Sequence, residues 1–290
     1  MNLNVLHDGS EQIRYQRPEI PIYINYGDLV HLSNMTALCH WHEDVELLMP
    51  ISGYLNYNIN GTVVHIAEGN AVFINSRQMH YGFSADGSDC RYICICFKPD
   101  QLCAHPYLHG SFVRPITQNR GFTHLLIEKG TATHDKMLAL IREIAQTPER
   151  NMRLMANLYA LWQGIYDAAN VATDAPADRN VDILKEMLAH ISTHYSEHLT
   201  LTALAAAGGV CRSKCCQVFQ KYMGTTPNAF VTSFRLERAM ELLRESDLSI
   251  TEIANACGFN SSSYFAETFM KQKGCSPTKY RSSYRTSGII

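Results

Sequence analysis

The C-terminal third of the chain contains a diverged copy of itself, and no other feature restricts its architecture as tightly. LTLTALAAAGGVCRSKCCQVFQKYMGTTPNAFVTSFR (199–235) aligns with LSITEIANACGFNSSSYFAETFMKQKGCSPTKYRSSYR (248–285). The offset is 49 up to Gly209/Gly258 and 50 afterwards, so Phe219 matches Phe269, Gly224 matches Gly274, Pro227 matches Pro277 and Phe230 matches Tyr280. Ala205 and Gly209, like Ala254 and Gly258, place a small residue where two helices cross and a glycine four later where the turn needs an unhindered backbone. Each copy therefore reads as a helix-turn-helix, over about 201–222 and about 249–272. The second helix is expected to bury Cys215, Val218, Phe219 and Tyr222 in one copy, and Phe265, Thr268, Phe269 and Gln272 in the other. That leaves Ser213, Lys214, Gln217 and Lys221, and Ser262, Ser263, Glu267 and Lys271, on faces able to bond to base edges or phosphates.

Charge follows the same division. Residues 1–180 carry 13 Lys+Arg against 18 Asp+Glu, net −5, and residues 181–290 carry 12 against 9, net +3. Local positive charge of this kind suits phosphate neutralisation. The N-terminus has no basic start followed by an apolar run, and no stretch of eighteen apolar residues occurs, so a cytoplasmic chain with no membrane segment is expected. Ten cysteines without a CxxC pair fit reduced thiols, and alternation in RYICICF puts Cys94 and Cys96 on one strand face as buried, inert groups.

Ahead of the repeat, VELLMPIS, YLNYNI, TVVHI, AVFIN and RYICICF are short β-rich runs, with Asn60-Gly61 as a hairpin turn between the second and third. HDKMLALIREIA and ERNMRLMANLYALWQGIYDAA have helical periodicity, with Met152, Met155, Tyr159, Trp162 and Tyr166 as one stripe. The stripe packs either on the β domain or on a second copy of the chain. ATDAPADRN then reads as a linker.

GFNSSSYFAETFMKQKGCSPTKYR and FRLERAMELLRES, taken together, closely resemble the DNA-binding domain of AraC/XylS-type transcription regulators over about 183–285. The resemblance implies two helix-turn-helix units joined by a long helix, about Pro227 to Glu245, with base contacts at Ser213, Cys216 and Gln217 and at Ser262, Ser263 and Glu267. Gln217 and Glu267 stand where many members carry arginine, so the operator cannot be read from them. It further implies a cupin-like effector barrel at the N-terminus, then helices that dimerise the protein. In that reading the fold is α+β: residues 1–105 are the barrel with an N-terminal arm over its mouth, 106–172 the helical dimerisation segment, 173–182 the linker and 183–285 the all-α DNA-binding domain.

The cupin likeness is itself residue-specific. His40-x-His42-x3-Glu46-x6-Gly53 fits the first cupin motif, whereas Gly69-x5-Asn75-x-Arg77-x2-His80-x3-Ser84 keeps glycine and histidine but replaces the family's Pro, Gly and Asn. Residues 40, 42 and 46 share parity, so one continuous strand would point them to one face, with His80 joining from a neighbour. The partners implied are double-stranded operator DNA, a small polar effector for which a carbohydrate is the expected class, a second copy of the chain, and RNA polymerase if the protein activates. His40, Trp41, His42, Glu46, Tyr54, Tyr57 and His80 are the expected effector residues, with aromatic faces beside polar groups. No cofactor is expected; were a divalent metal held, His40, His42, Glu46 and His80 would be its ligands. The alternative class is a metal-dependent cupin enzyme fused to a DNA-binding module, which turnover of candidate sugars or phenolic compounds would distinguish.

Overall fold

The structure, a computed structural model, describes residues 5, 9–16, 19–32, 35–103, 105–147, 149, 151–171 and 179–287. The chain divides into two compact units, Met1–Asp182 and Ile183–Ile290, each with its own hydrophobic core.

The first unit holds strands β1 (Ile22–Asp28), β2 (Val45–Ser52), β3 (Tyr54–Ile59), β4 (Thr62–Ala67), β5 (Ala71–Ile74), β6 (His80–Phe83), β7 (Arg91–Phe97) and β8 (His124–Ile127). They form a five-stranded antiparallel sheet, β1-β7-β2-β5-β8, and a three-stranded sheet, β4-β3-β6. Asn60 and Gly61 turn the β3–β4 hairpin with φ of 49° and 79°, the left-handed pair that a two-residue turn requires.

Parity assigns the two faces of the larger sheet. Even-numbered Leu48, Val72, Ile74, Cys94 and Cys96 meet Leu55, Tyr57, Ile59 and Ile66 of the smaller sheet. Odd-numbered Leu47, Met49, Phe73, Ile93, Ile95 and Phe97 form the opposite core with helices α3 (Ala132–Gln146) and α4 (Asn151–Val171). The expected cupin-like enclosure thus consists of two facing sheets, one of them backed by helices.

Three expectations are corrected. The segment 106–172 is not wholly helical: after one helical run made of α1 (Pro106–Leu108), a π-helical His109–Val113 and α2 (Arg114–Thr117) it supplies β8, whose four residues are too few to show a period. The buried face of α4 is Leu154, Leu158, Leu161, Trp162 and Ile165. Of the expected stripe, Trp162 lies in that core, Met155 and Tyr166 pack at its margin, and Met152 is 85% exposed. Most of the expected linker, 173–178, lies outside the described residues, while 179–182 already belong to helix α5 (Arg179–His194), whose apolar series begins at Val181.

The second unit continues with α6 (Leu201–Ala207), α7 (Arg212–Met223), α8 (Pro227–Glu245), α9 (Ile250–Ala256), α10 (Ser262–Lys273) and α11 (Pro277–Ser287). The repeat is visible in each junction. Thr200 and Ser249 cap α6 and α9, Gly224 and Gly274 end α7 and α10 in the left-handed region, and Pro227 and Pro277 open the helices that follow. The extra residue of the second copy falls in its turn, 257–261 against 208–211. Ala205 and Ala254 are buried at the crossings. Gly258, at φ +75°, lies so close to the Tyr195 carbonyl that a Cβ would sit 2.5 Å from its oxygen.

Candidate functional site

His40, His42, Glu46 and His80 are all buried, and one ligand atom from each lies within 4.8 Å of the others. The route to this convergence differs from the expected single strand. Only Glu46 is on β2; His40 forms an isolated antiparallel bridge with His80, and His42 lies in the irregular stretch between. His40 N donates to His80 O at 3.1 Å and His80 N to His40 O at 2.8 Å, a mutually bonded pair that sends both imidazoles to the same side. The departures in the second motif leave His80 in place. Arg77 adopts φ +65° at the motif's glycine position, and Asn75 Nδ2 donates to Ile116 O and Phe122 O.

All three imidazoles are oriented from behind. Nδ1 of His40 contacts Leu38 O at 2.7 Å, Nδ1 of His42 contacts Asp44 O at 3.0 Å, and Nδ1 of His80 contacts Gln78 O at 2.9 Å. A carbonyl only accepts, so each Nδ1 carries its proton, and a neutral ring then presents a bare Nε2 lone pair to the centre. Glu46 Oε2 lies 3.3 Å from His42 Nε2 and 3.4 Å from His80 Nε2, while Oε1 accepts the Tyr57 hydroxyl at 2.5 Å.

Burial opposes charge throughout the cluster, and the neighbours decide the result. Burial would raise the Glu46 carboxyl, but His80 and His42 hold it well below the usual carboxylate range. His42 is raised despite burial by its bond to Glu46, whereas burial and the two other imidazoles push His40 down to about 3. Burial and the Glu46 charge push the Tyr57 hydroxyl up. Cys96 Sγ approaches Glu46 Oε2 at 3.6 Å and Cys94 Sγ at 3.7 Å, and both thiols are held up as unreactive groups.

The residues fit a divalent metal. Three nitrogens and one carboxylate converge, each histidine is held by a carbonyl as metal-bound histidines are, and His80 Nε2 is buried without a hydrogen bond. Beside the cluster is a cavity of about 30 Å³ lined by His40, Glu46, Tyr57 and apolar groups including Leu29, Leu48 and Leu55. That is room for about two waters, so a sugar enters only if the walls part.

Of the other expected effector residues, Tyr57 is in this cavity wall, but Tyr54, three positions earlier, is on the opposite face of β3, with its ring tilted against that of His65 at 4.7 Å. Trp41 alternates with His40 and His42, and its backbone pairs with the N-terminal arm. The arm supplies Glu11, which the motifs did not reveal: its Oε2 is 3.4 Å from His40 Nε2, and burial pushes its carboxyl up to about 7.

In the second unit, α7 buries Cys215, Val218, Phe219 and Tyr222 and exposes Ser213, Gln217 and Lys221, with Lys214 and Cys216 half-buried at the edges. In α10, Phe265 and Phe269 are buried, Ser263, Glu267 and Lys271 exposed and Ser262 half-buried. Gln272, expected inside, is exposed and donates to Ser233 Oγ at 3.4 Å, and Thr268 is half-buried; two phenylalanines suffice for this shorter inner face. The long helix α8 has the expected bounds, Pro227–Glu245.

The AraC-like ligand-binding domain matches residues 35–178, and a helix-turn-helix domain matches residues 204–283. The chain belongs to the AraC-type transcription regulators. This regulator is 27% identical over 277 residues to the HTH-type transcriptional regulator YdeC of Bacillus subtilis, covering 93% of this chain and 95% of that protein. It is 27% identical over 282 residues to the melibiose operon regulatory protein of Escherichia coli, covering 92% and 88% respectively. Among solved structures, fatty-acid-bound ToxT of Vibrio cholerae overlays with a TM-score of 0.43 at 14% identity, over 93% of this chain and 97% of that one. The regulator has a DNA-binding unit and a ligand-binding unit, and among the described residues no helix is long and apolar enough to cross a membrane.

Proposed function

We propose that this regulator reads operator DNA through Ser213, Lys214, Cys216, Gln217 and Lys221 of α7 and Ser262, Ser263, Glu267 and Lys271 of α10, under control of a small effector at His40, His42, Glu46, Tyr57 and His80. The observation that carries the effector reading is the buried polar cluster opening onto a cavity whose other walls include Leu29, Leu48 and Leu55. A carbohydrate is one class for it, supported by the Tyr57 ring beside hydrogen-bonding groups and by the name of the melibiose relative. The cluster acts as a sensor rather than a catalytic centre, and the regulator is a homodimer through the outer face of α4, where Met152 is exposed. Calorimetric titration with mono- and disaccharides tests the sugar class; binding by another ligand class alone overturns it. Sedimentation tests the dimer, and a monomer at micromolar concentration overturns it.

A second reading is favoured by the unbonded His80 Nε2: the cluster holds a divalent cation. Metal content of tag-free protein, by mass spectrometry, tests it. A stoichiometric ion lost in His42→Ala supports the cation, and its absence leaves the metal-free sensor.

A further inference from the structure

The N-terminal arm is tied to the segment that carries His40. Ser10 forms a bridge with Trp41, Trp41 N donates to Gly9 O at 3.0 Å, and Glu11 N donates to Trp41 O at 2.7 Å. This pairing places Glu11 Oε2 3.4 Å from His40 Nε2, with both side chains almost fully buried. Because His40 Nδ1 is committed to Leu38 O, the atom facing Glu11 is the ring's lone pair. An ionised carboxylate and an imidazole lone pair are both acceptors, and they repel unless a proton or a cation lies between them. Backbone pairing with Trp41 makes no demand for glutamate at position 11, so the acid must be explained by what it faces.

Resting on the cation reading, we propose that Glu11 is a further ligand of the divalent cation held by His40, His42, Glu46 and His80, so that cation binding fastens the N-terminal arm to the sheet domain. Three imidazole nitrogens and two carboxylates suit Zn²⁺, Ni²⁺, Mn²⁺ or Fe²⁺. His80 and Glu46 belong to strands, and His40 is bridged to His80. His42 runs within three residues into β2, whereas Glu11 lies on the N-terminal arm eleven residues before β1, so among the five groups its position responds most to occupancy.

The test uses the full chain and Zn²⁺ as the probe, with affinity from chelator competition and the arm followed by hydrogen exchange of the peptide containing the Glu11 amide. Zn²⁺ is expected to bind once per chain, to be lost in His42→Ala, and to slow exchange of the wild-type arm about tenfold or more. The isosteric Glu11→Gln is expected to bind Zn²⁺ about tenfold more weakly and, at saturation, to show no slowing of arm exchange. Unchanged affinity in Glu11→Gln, or wild-type arm exchange that ignores bound Zn²⁺, overturns the proposal and leaves the cation site standing. Wild-type protein that takes up no stoichiometric Zn²⁺ overturns both.

Discussion

His40 and His80 face each other across a single antiparallel bridge, exchange both backbone hydrogen bonds, and hold their imidazole centroids 4.4 Å apart. This pairing is independent of His42, which reaches Glu46 from the irregular stretch before β2. His42→Ala is therefore expected to keep the fold but to leave the buried Glu46 charge with one partner fewer, costing roughly 3 kcal/mol. Chemical denaturation of the cation-free protein measures it, and a loss below about 1 kcal/mol would show that Tyr57 and the nearby His80 satisfy the carboxylate without His42.

The same pair predicts how cation-free stability depends on pH. Glu46 has a depressed value, so its contribution is present above 4.5 and is lost as pH falls through the lower folded value. His42 has a raised value, so its contribution is present below 6.5 and is lost as pH rises through the higher folded value. Glu11, pushed up to about 7 chiefly by burial, adds a loss as pH rises from 4.5 to about 7. His40, pushed down to about 3, adds an opposing gain as pH rises to 6.5, so urea midpoints are expected to change little from pH 5 to 6.5 and to fall from there to pH 8, with Glu11→Gln turning the lower part into a rise and His42→Asn flattening the upper. A flat wild-type profile across that span contradicts the prediction.

Two glycines at matching positions of the repeat should differ when changed to alanine. Gly209 has φ +63° with open space around the new Cβ, so only the left-handed backbone is strained, about 1–2 kcal/mol. Gly258 has φ +75° and the Tyr195 carbonyl in the way, so Gly258→Ala is expected to cost more than about 2 kcal/mol and to weaken DNA binding through the fold. Thermal melts of the two variants check the order, and equal costs would refute it.

On DNA, Gln217→Ala and Ser263→Ala should relax base preference, because both side chains are exposed on the outer faces of their helices. Lys214→Ala should weaken all sequences alike and lower the salt slope by about one. Lys221 donates to Tyr222 Oη at 3.0 Å, so Lys221→Ala is expected to have a smaller effect than Lys214→Ala. Binding titrations over a salt series measure these terms; footprints unchanged in all the variants would remove α7 and α10 from the interface.

What the sequence revealed follows from the range of each signal. The helix-turn-helix units were legible because their constraints are local: a cap, a small residue at a crossing, a left-handed glycine and a proline recur at fixed spacing in both copies. The histidines and Glu46 are legible as residue types, but not their backbone support, because strand parity does not carry through residues 43 and 44, where the chain bends out of strand geometry. Glu11 was invisible because its partner is set by a bridge to Trp41, thirty residues on, with no motif linking the two. Gln272 misled through helical spacing, which places a side chain on a face but does not say how wide the buried part is.

Cys96 approaches Glu46 on one side of the five-stranded sheet, and its immediate neighbour Phe97 lies edge-on to Trp162 of α4 on the other, with ring centroids 6.3 Å apart. One peptide plane joins them, and such a plane tilts as a unit. The His–Glu cluster and the helical layer therefore share a partition only one residue thick, and a tilt of that one plane displaces a contact on each face without involving any loop.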